Sequence, residues 1–136
     1  MMDKEVIKIA SNTENYGVLD KHTHFSKLKN SICGDDMKIY LIVKDDKISS
    51  LKYECESCIY CQASVSLLSK NIKNKSVEKF KNFVQQANNS FENDKNSFDQ
   101  EWKEFGKIMN KKSVSRKECL LLPLNTTLDA LNKKTV

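Results

Sequence analysis

The chain has 136 residues, of which 39% are hydrophobic and 30% charged, with five cysteines and a formal net charge of +5. That length suits one domain, 1–136, with a core that needs no covalent staples, and no apolar run approaches the roughly 18 residues of a membrane span. The positive balance does not point to nucleic acid: Arg116 is the sole arginine, lysines alternate with Asp, Glu and Asn along the whole length, and bidentate contacts to bases and phosphate are mostly arginine work.

The start, M-M-D-K-E-V-I-K-I-A-S, is too mixed in charge for a secretory signal, so a cytoplasmic protein is expected. In that reducing compartment an odd number of cysteines favours metal binding or thiol chemistry over a disulfide framework. Residues 3–10 predict a short helix with Val6, Ile7 and Ala10 on one side, stopped by Ser11-Asn12 and by Asn15 to Gly17. Val18 to Leu28 is loosely strand-like and holds His22 and His24. Alternating on a strand, these two would share a face and could bind a metal together, although an exposed pair without a task is the plainer reading. Met37–Val43 and Lys47–Cys55 are rich in β-branched and aromatic residues and predict an antiparallel hairpin turning at Lys44-Asp45-Asp46. Leu51, Tyr53 and Cys55 then share one face, and on a core face Cys55 would be a small buried hydrophobe.

From Cys58 the spacing becomes helical, with Ala63 and Leu67, then Ser64, Leu68 and Ile72, at three- and four-residue intervals. Small residues from Gln62 to Ser66 would let this helix approach the sheet. Ser76 predicts the N-cap of a helix carrying Val77, Phe80, Phe83, Val84 and Ala87; Asn88 to Asn96 predicts a polar connection; Ser97 predicts the cap of a helix carrying Phe98, Trp102, Phe105 and Met109. These aromatic stripes suit a core. Pro123 predicts the beginning or a kink of the last helix, which carries Leu124, Leu128 and Leu131 and puts Cys119 on or just before its entrance.

Cys58 and Cys119 thus both stand where a helix begins, where unpaired N–H groups and the helix dipole favour a thiolate. Cys33 lies in N-S-I-C-G-D, with Asp35 two residues on, past the Gly34 turn. Brought together, three thiolates and a carboxylate can form a closed zinc site, and thiolates also hold iron–sulfur clusters; the residues alone do not separate the two. A rival grouping is local. Cys55, Cys58 and Cys61 form C-x-x-C-x-x-C, which opens a bacterial ferredoxin motif, but Q-A-S-V follows where that motif has x-x-x-C-P.

Asn15-Tyr16-Gly17, N-S-I-C-G-D, C-E-S-C-I-Y-C-Q-A-S-V-S-L-L and K-E-C-L-L-L, in that order, resemble the NifU-like iron–sulfur cluster assembly proteins that include IscU and SufU. The resemblance covers roughly Asn15 to Lys133. It implies an α+β fold, a small antiparallel sheet of about three strands with helices packed against it and a metal or cluster site at one end. Matched position by position, the family's ligands fall on Cys33, Asp35, Cys58 and Cys119, while Cys55 and Cys61 fall where Gly and Ser are commoner. The long stretch between Cys58 and Cys119, the lack of L-P-P-V-K, and Glu118 in place of a histidine look like the SufU branch. Ser31, Cys55, Ser57 and Glu118 depart from the family's usual residues.

The function that this resemblance implies is acceptance of persulfide sulfur from a SufS-like cysteine desulfurase. Cys33 would be the catalytic acceptor, zinc would be held at the site, and downstream cluster assembly or acceptor proteins would be further partners. Whether such a sulfurtransferase acts as an enzyme in its own right stays open. One alternative is a scaffold on which the same residues hold a transient [2Fe–2S] cluster. Another, of a different class, is a structural zinc-binding domain used only for interaction.

Overall fold

The fold starts from its hairpin. A computed structural model describes residues 4–30, 34–92 and 98–133. In it β1 (His24–Asn30), β2 (Asp35–Lys44), β3 (Lys47–Glu56) and the short β4 (Lys75–Ser76) form one antiparallel sheet in the order β1-β2-β3-β4. β2 and β3 are joined through Asp45 and Asp46, both left-handed at φ 51° and 62°, the backbone of a two-residue turn that matches strand twist. Aspartate tolerates that conformation better than a branched residue would. An extra residue then shifts the register between Ile42 and Val43, so that Ile42 faces Ser50 while Val43 faces Ile48. Met37, Ile39, Leu41, Ile48, Leu51 and Tyr53 all come to lie in the core.

The expected α+β fold is found. The sheet has four strands where about three were expected, because β4 is only two residues long and too short to show a pattern. β1 begins at His24, so His22 lies ahead of the strand and the two histidines do not alternate along it. His22 packs its ring against Tyr40 and Phe25, with Nδ1 2.7 Å from the Leu19 carbonyl oxygen, while His24 Nδ1 lies 2.8 Å from Thr23 Oγ1.

The helices are α1 (Lys4–Ala10), α2 (Ile59–Asn71), α3 (Val77–Ser90) and α4 (Lys117–Leu131), with 3-10 turns at Gln100–Lys107 and Lys111–Arg116. α4 crosses β1 and β2 and packs against α2, and α1 lies on α2. The small residues of α2, expected to bring it against the sheet, instead meet α4 closely, with Ser64 Oγ donating to the Leu120 carbonyl at 2.6 Å. In α1, Val6 and Ala10 are buried but Ile7 is 40% exposed, since a surface helix buries only the stripe that faces the core. Phe83 stacks on Trp102 at 4.1 Å and touches Phe98 and Phe105, joining α3 to the first 3-10 turn as the aromatic part of the same core.

That turn is 3-10 rather than α-helical and begins after Asp99, which is clamped to α3 by two hydrogen bonds with Gln86; the expected cap, Ser97, lies outside the described residues. The polar connection expected from Asn88 is helical as far as Ser90. Pro123 lies inside α4, which starts earlier, at Lys117, directly from the second 3-10 turn. Among the described residues no helix is long and apolar enough to cross a membrane.

Ser76 caps α3 as expected, accepting the Lys79 N–H at 3.0 Å. Replacing Ser76 by Ala removes that acceptor and should cost about 1 kcal/mol in urea unfolding, with Ser76→Asp restoring most of it. Equal stability of the alanine and aspartate variants would show that the cap carries no weight.

Candidate metal centre

Antiparallel pairing puts the start of β2 beside the end of β3, with Asp36 opposite Glu56, so Asp35 adjoins the turn that leads from β3 into α2. Cys58 is the N-cap of α2, in extended conformation and with no side-chain cap bond, which leaves its sulfur free of the helix's own N–H groups. β1 ends at the same place, Asn30 pairing with Asp35, and Cys119 is the third residue of α4. Two helix N-termini and three strand ends therefore meet. The positive ends of both helices favour negative charge on the groups between them.

The ligand atoms of Asp35, Cys58 and Cys119 all lie within 4.8 Å of one another, the only such group of three His, Cys, Asp or Glu side chains among the described residues. Asp35 is 3% exposed; Oδ1 accepts the Cys58 backbone N–H at 2.9 Å, and Oδ2 is buried without a hydrogen-bond partner. Leaving a buried acceptor unsatisfied costs about 1–3 kcal/mol, more for a charged one, and a bound cation removes that cost. Cys119 is 1% exposed, with Asn30 Nδ2 donating toward its sulfur at 3.9 Å, whereas Cys58 is half-buried. Two sulfurs and one carboxylate oxygen, one of the sulfurs within reach of solvent, make a donor set that fits zinc or iron.

Cys33, the fourth expected ligand, lies outside the described residues. Beside it, Gly34 has φ +71°, open space where a Cβ would stand, and an N–H that donates to the Asn30 carbonyl at 2.7 Å. Glycine is required there by backbone conformation and not by crowding.

The run Cys55, Cys58, Cys61 is divided among three environments and does not gather as a ferredoxin-like set. Cys55 is half-buried on β3, Cys58 stands at the turn, and Cys61 is completely buried on α2. Burial pushes the Cys61 thiol far above its ordinary range, and the nearby Asp35, Cys55 and Cys58 push it the same way. Burial also raises Cys55, with Asp35 and Asp36 adding to the effect. Neither histidine joins the donor group. Glu118 is exposed to solvent, which weakens its effect on the neighbouring thiol.

Sequence reasoning missed Asn30, although it begins the N-S-I-C-G-D run, because nothing local shows that α4 brings a sulfur to it. It also missed Arg116, whose guanidinium lies 5.0 Å from the Tyr60 ring and so ties the entrance of α4 to the first turn of α2. The Asn15-Tyr16-Gly17 run has a supporting role. Gly17 N–H donates to the Tyr53 carbonyl at 2.8 Å and Asn15 Nδ2 donates to Ser69 Oγ at 3.1 Å, fastening the N-terminal segment to β3 and α2.

Residues 1–96 match the NifU-like N terminal domain family. The chain belongs to that family. Over 141 aligned positions, 98% of this chain and 94% of the relative, it is 30% identical to the iron–sulfur cluster assembly scaffold protein IscU of Thermotoga maritima. The crystal structure of a NifU-like N-terminal protein from Brucella abortus covers 96% of this chain and 91% of its own at TM-score 0.88 and 17% identity. A structure from Fervidobacterium islandicum, described as an iron–sulfur cluster assembly scaffold protein for the SUF system, covers 96% of each chain at TM-score 0.80 and 23% identity. At those identities the two structures bear on the fold.

In this NifU-like domain burial should order thiol reactivity. In metal-free protein at neutral pH, N-ethylmaleimide should modify Cys58 and Cys55 first, and Cys61 and Cys119 only slowly until denaturant is added, as peptide mass mapping would show. Native labelling of Cys61 as fast as Cys58 would contradict its placement.

Proposed function

We propose that this NifU-like domain serves iron–sulfur cluster assembly by accepting sulfur from a SufS-like cysteine desulfurase, with a zinc ion held by Cys33, Asp35, Cys58 and Cys119. The observation that carries the reading is the convergence of Asp35, Cys58 and Cys119 at two helix entrances, with one carboxylate oxygen lacking a protein partner. Bound zinc would keep its thiols deprotonated and would supply no redox chemistry. The transfer itself is thiol chemistry. The Cys33 thiolate attacks the outer sulfur of the desulfurase persulfide, a new sulfur–sulfur bond forms on Cys33, and the desulfurase cysteine leaves as a thiolate.

Several features support this over its rivals. The half-buried Cys58 suits a site that exchanges ligands, whereas a purely structural zinc site is closed and inert. Aromatic residues of α3 and the first 3-10 turn fill the stretch between Cys58 and Cys119, in keeping with the SufU branch. A second reading is that the same donors hold a nascent [2Fe–2S] cluster as cargo, favoured by the 30% identity to a relative named as an IscU scaffold. In either case the partners are the desulfurase and downstream acceptors of sulfur or cluster, and the compartment is the cytoplasm.

Incubated with a SufS-like desulfurase and cysteine, the zinc-loaded protein should raise alanine production and gain one sulfur by mass spectrometry. Cys33→Ser should abolish both while the fold persists by circular dichroism. A well-folded, zinc-loaded protein that neither stimulates the desulfurase nor gains sulfur would mark the inert interaction domain. An acid-labile sulfide and iron content in protein isolated without air would favour the scaffold.

A further inference from the structure

Cys61 stands one helical turn beyond Cys58, and neither the donor group nor the sulfur-acceptor role uses it. Cys58 is the extended N-cap of α2 and Cys61 its third residue. Residues three apart on a helix have Cβ atoms about 5–6 Å apart, so a disulfide, which spans about 3.5–4.5 Å, needs the Cys58 backbone to close in by about 1–2 Å. Cys55 is also three residues from Cys58, but along β3 and the extended segment after it. Three residues of extended chain span about 10 Å, too far for a disulfide. The exposures divide the labour. Cys58 is half-buried and can meet a reagent from solvent, while Cys61 is 0% exposed and can be reached only by a neighbouring group.

We propose that Cys58 and Cys61 form a reversible disulfide that withdraws Cys58 from metal binding, making the site sensitive to oxidation. A low-molecular-weight disulfide is the oxidant. The Cys58 thiolate attacks one of its sulfurs, forming a mixed disulfide and releasing one thiolate. Cys61, giving up its proton, then attacks the Cys58 sulfur, closes the Cys58–Cys61 bond and releases the second thiol. Two cysteine thiols are oxidised and one small disulfide is reduced to two thiols. A sulfur engaged in a disulfide is no longer a thiolate ligand, so oxidation and metal exclude each other. The effect on metal rests on the ligand reading above, whereas the disulfide does not.

The full chain, stripped of metal, would be equilibrated with glutathione disulfide, blocked at remaining thiols and digested with trypsin. Peptide Tyr53–Lys70 carries Cys55, Cys58 and Cys61, and Glu118–Lys133 carries Cys119. The expected product is Tyr53–Lys70 lighter by two hydrogens, unchanged in Cys55→Ser and replaced by a glutathione adduct on Cys58 in both Cys61→Ser and Cys61→Ala. Circular dichroism of the reduced variants shows that they are folded. The oxidised wild type should lose cobalt(II) uptake and regain it on reduction. A cross-link to Glu118–Lys133, an internal disulfide persisting in the Cys61 variants, or loss of the product in Cys55→Ser overturns the disulfide and leaves the ligand reading standing. A Cys58–Cys61 disulfide with cobalt uptake intact overturns the switch together with Cys58 as a ligand.

Discussion

A carboxylate buried at the end of a sheet needs partners for both of its oxygens, and Asp35 has a protein partner for one. Its Oδ1 takes the backbone N–H of Cys58, a donor that no helical carbonyl can satisfy because Cys58 is the cap of α2. That bond fixes the place where β3 turns into α2 relative to the start of β2. It leaves Oδ2 buried beside two sulfurs, in surroundings that favour a cation. Much of the rest of the fold positions that bond.

The hairpin sets the distance along the strands. Its two-residue turn starts the pairing at Lys44 and Lys47, and the extra residue near Ser49, whose hydroxyl donates to the Ile42 carbonyl, shifts the register of everything beyond. Because successive side chains on a strand alternate faces, a one-residue slip would exchange Tyr53 and Glu54 between core and solvent and move Cys58 along the strand direction relative to Asp35. α4 sets the third direction. Packed across β1 and β2, it carries Cys119 to Asn30, and Pro123 lacks the N–H that the Cys119 carbonyl would otherwise accept in a regular helix.

Features decided within a few residues were legible in the sequence. The Asp45-Asp46 turn, the α2 entrance at Cys58 and the Ser76 cap follow from local backbone chemistry, and all three are found. The meeting of Asp35, Cys58 and Cys119 was legible only through family resemblance, since 61 positions separate Cys58 from Cys119 and no periodicity reports a contact across them. The misses have physical causes. A two-residue β4 has no pattern. Pro123 suggested a helix start or a kink, and the start lies earlier, at Lys117; α4 carries Pro123 inside it, where Thr127 Oγ1 donates to its carbonyl at 2.8 Å. His22 and His24 suggested a shared strand face, but β1 begins between them, and the aromatic rings of Phe25 and Tyr40 take up His22. Cys33 and Ser97 lie outside the described residues.

The assignment of one mixed thiolate–carboxylate centre is tested most directly by X-ray absorption at the zinc edge on zinc-loaded protein. With the proposed ligand set, three sulfurs from Cys33, Cys58 and Cys119 at about 2.3 Å and one lighter atom from Asp35 at about 2.0–2.2 Å are expected. The sulfur count should fall to two in Cys119→Ser and stay at three in Cys55→Ser and Cys61→Ser. A shell of four sulfurs, or one that loses sulfur with Cys55 or Cys61 and not with Cys119, would contradict the centre built on Asp35, Cys58 and Cys119.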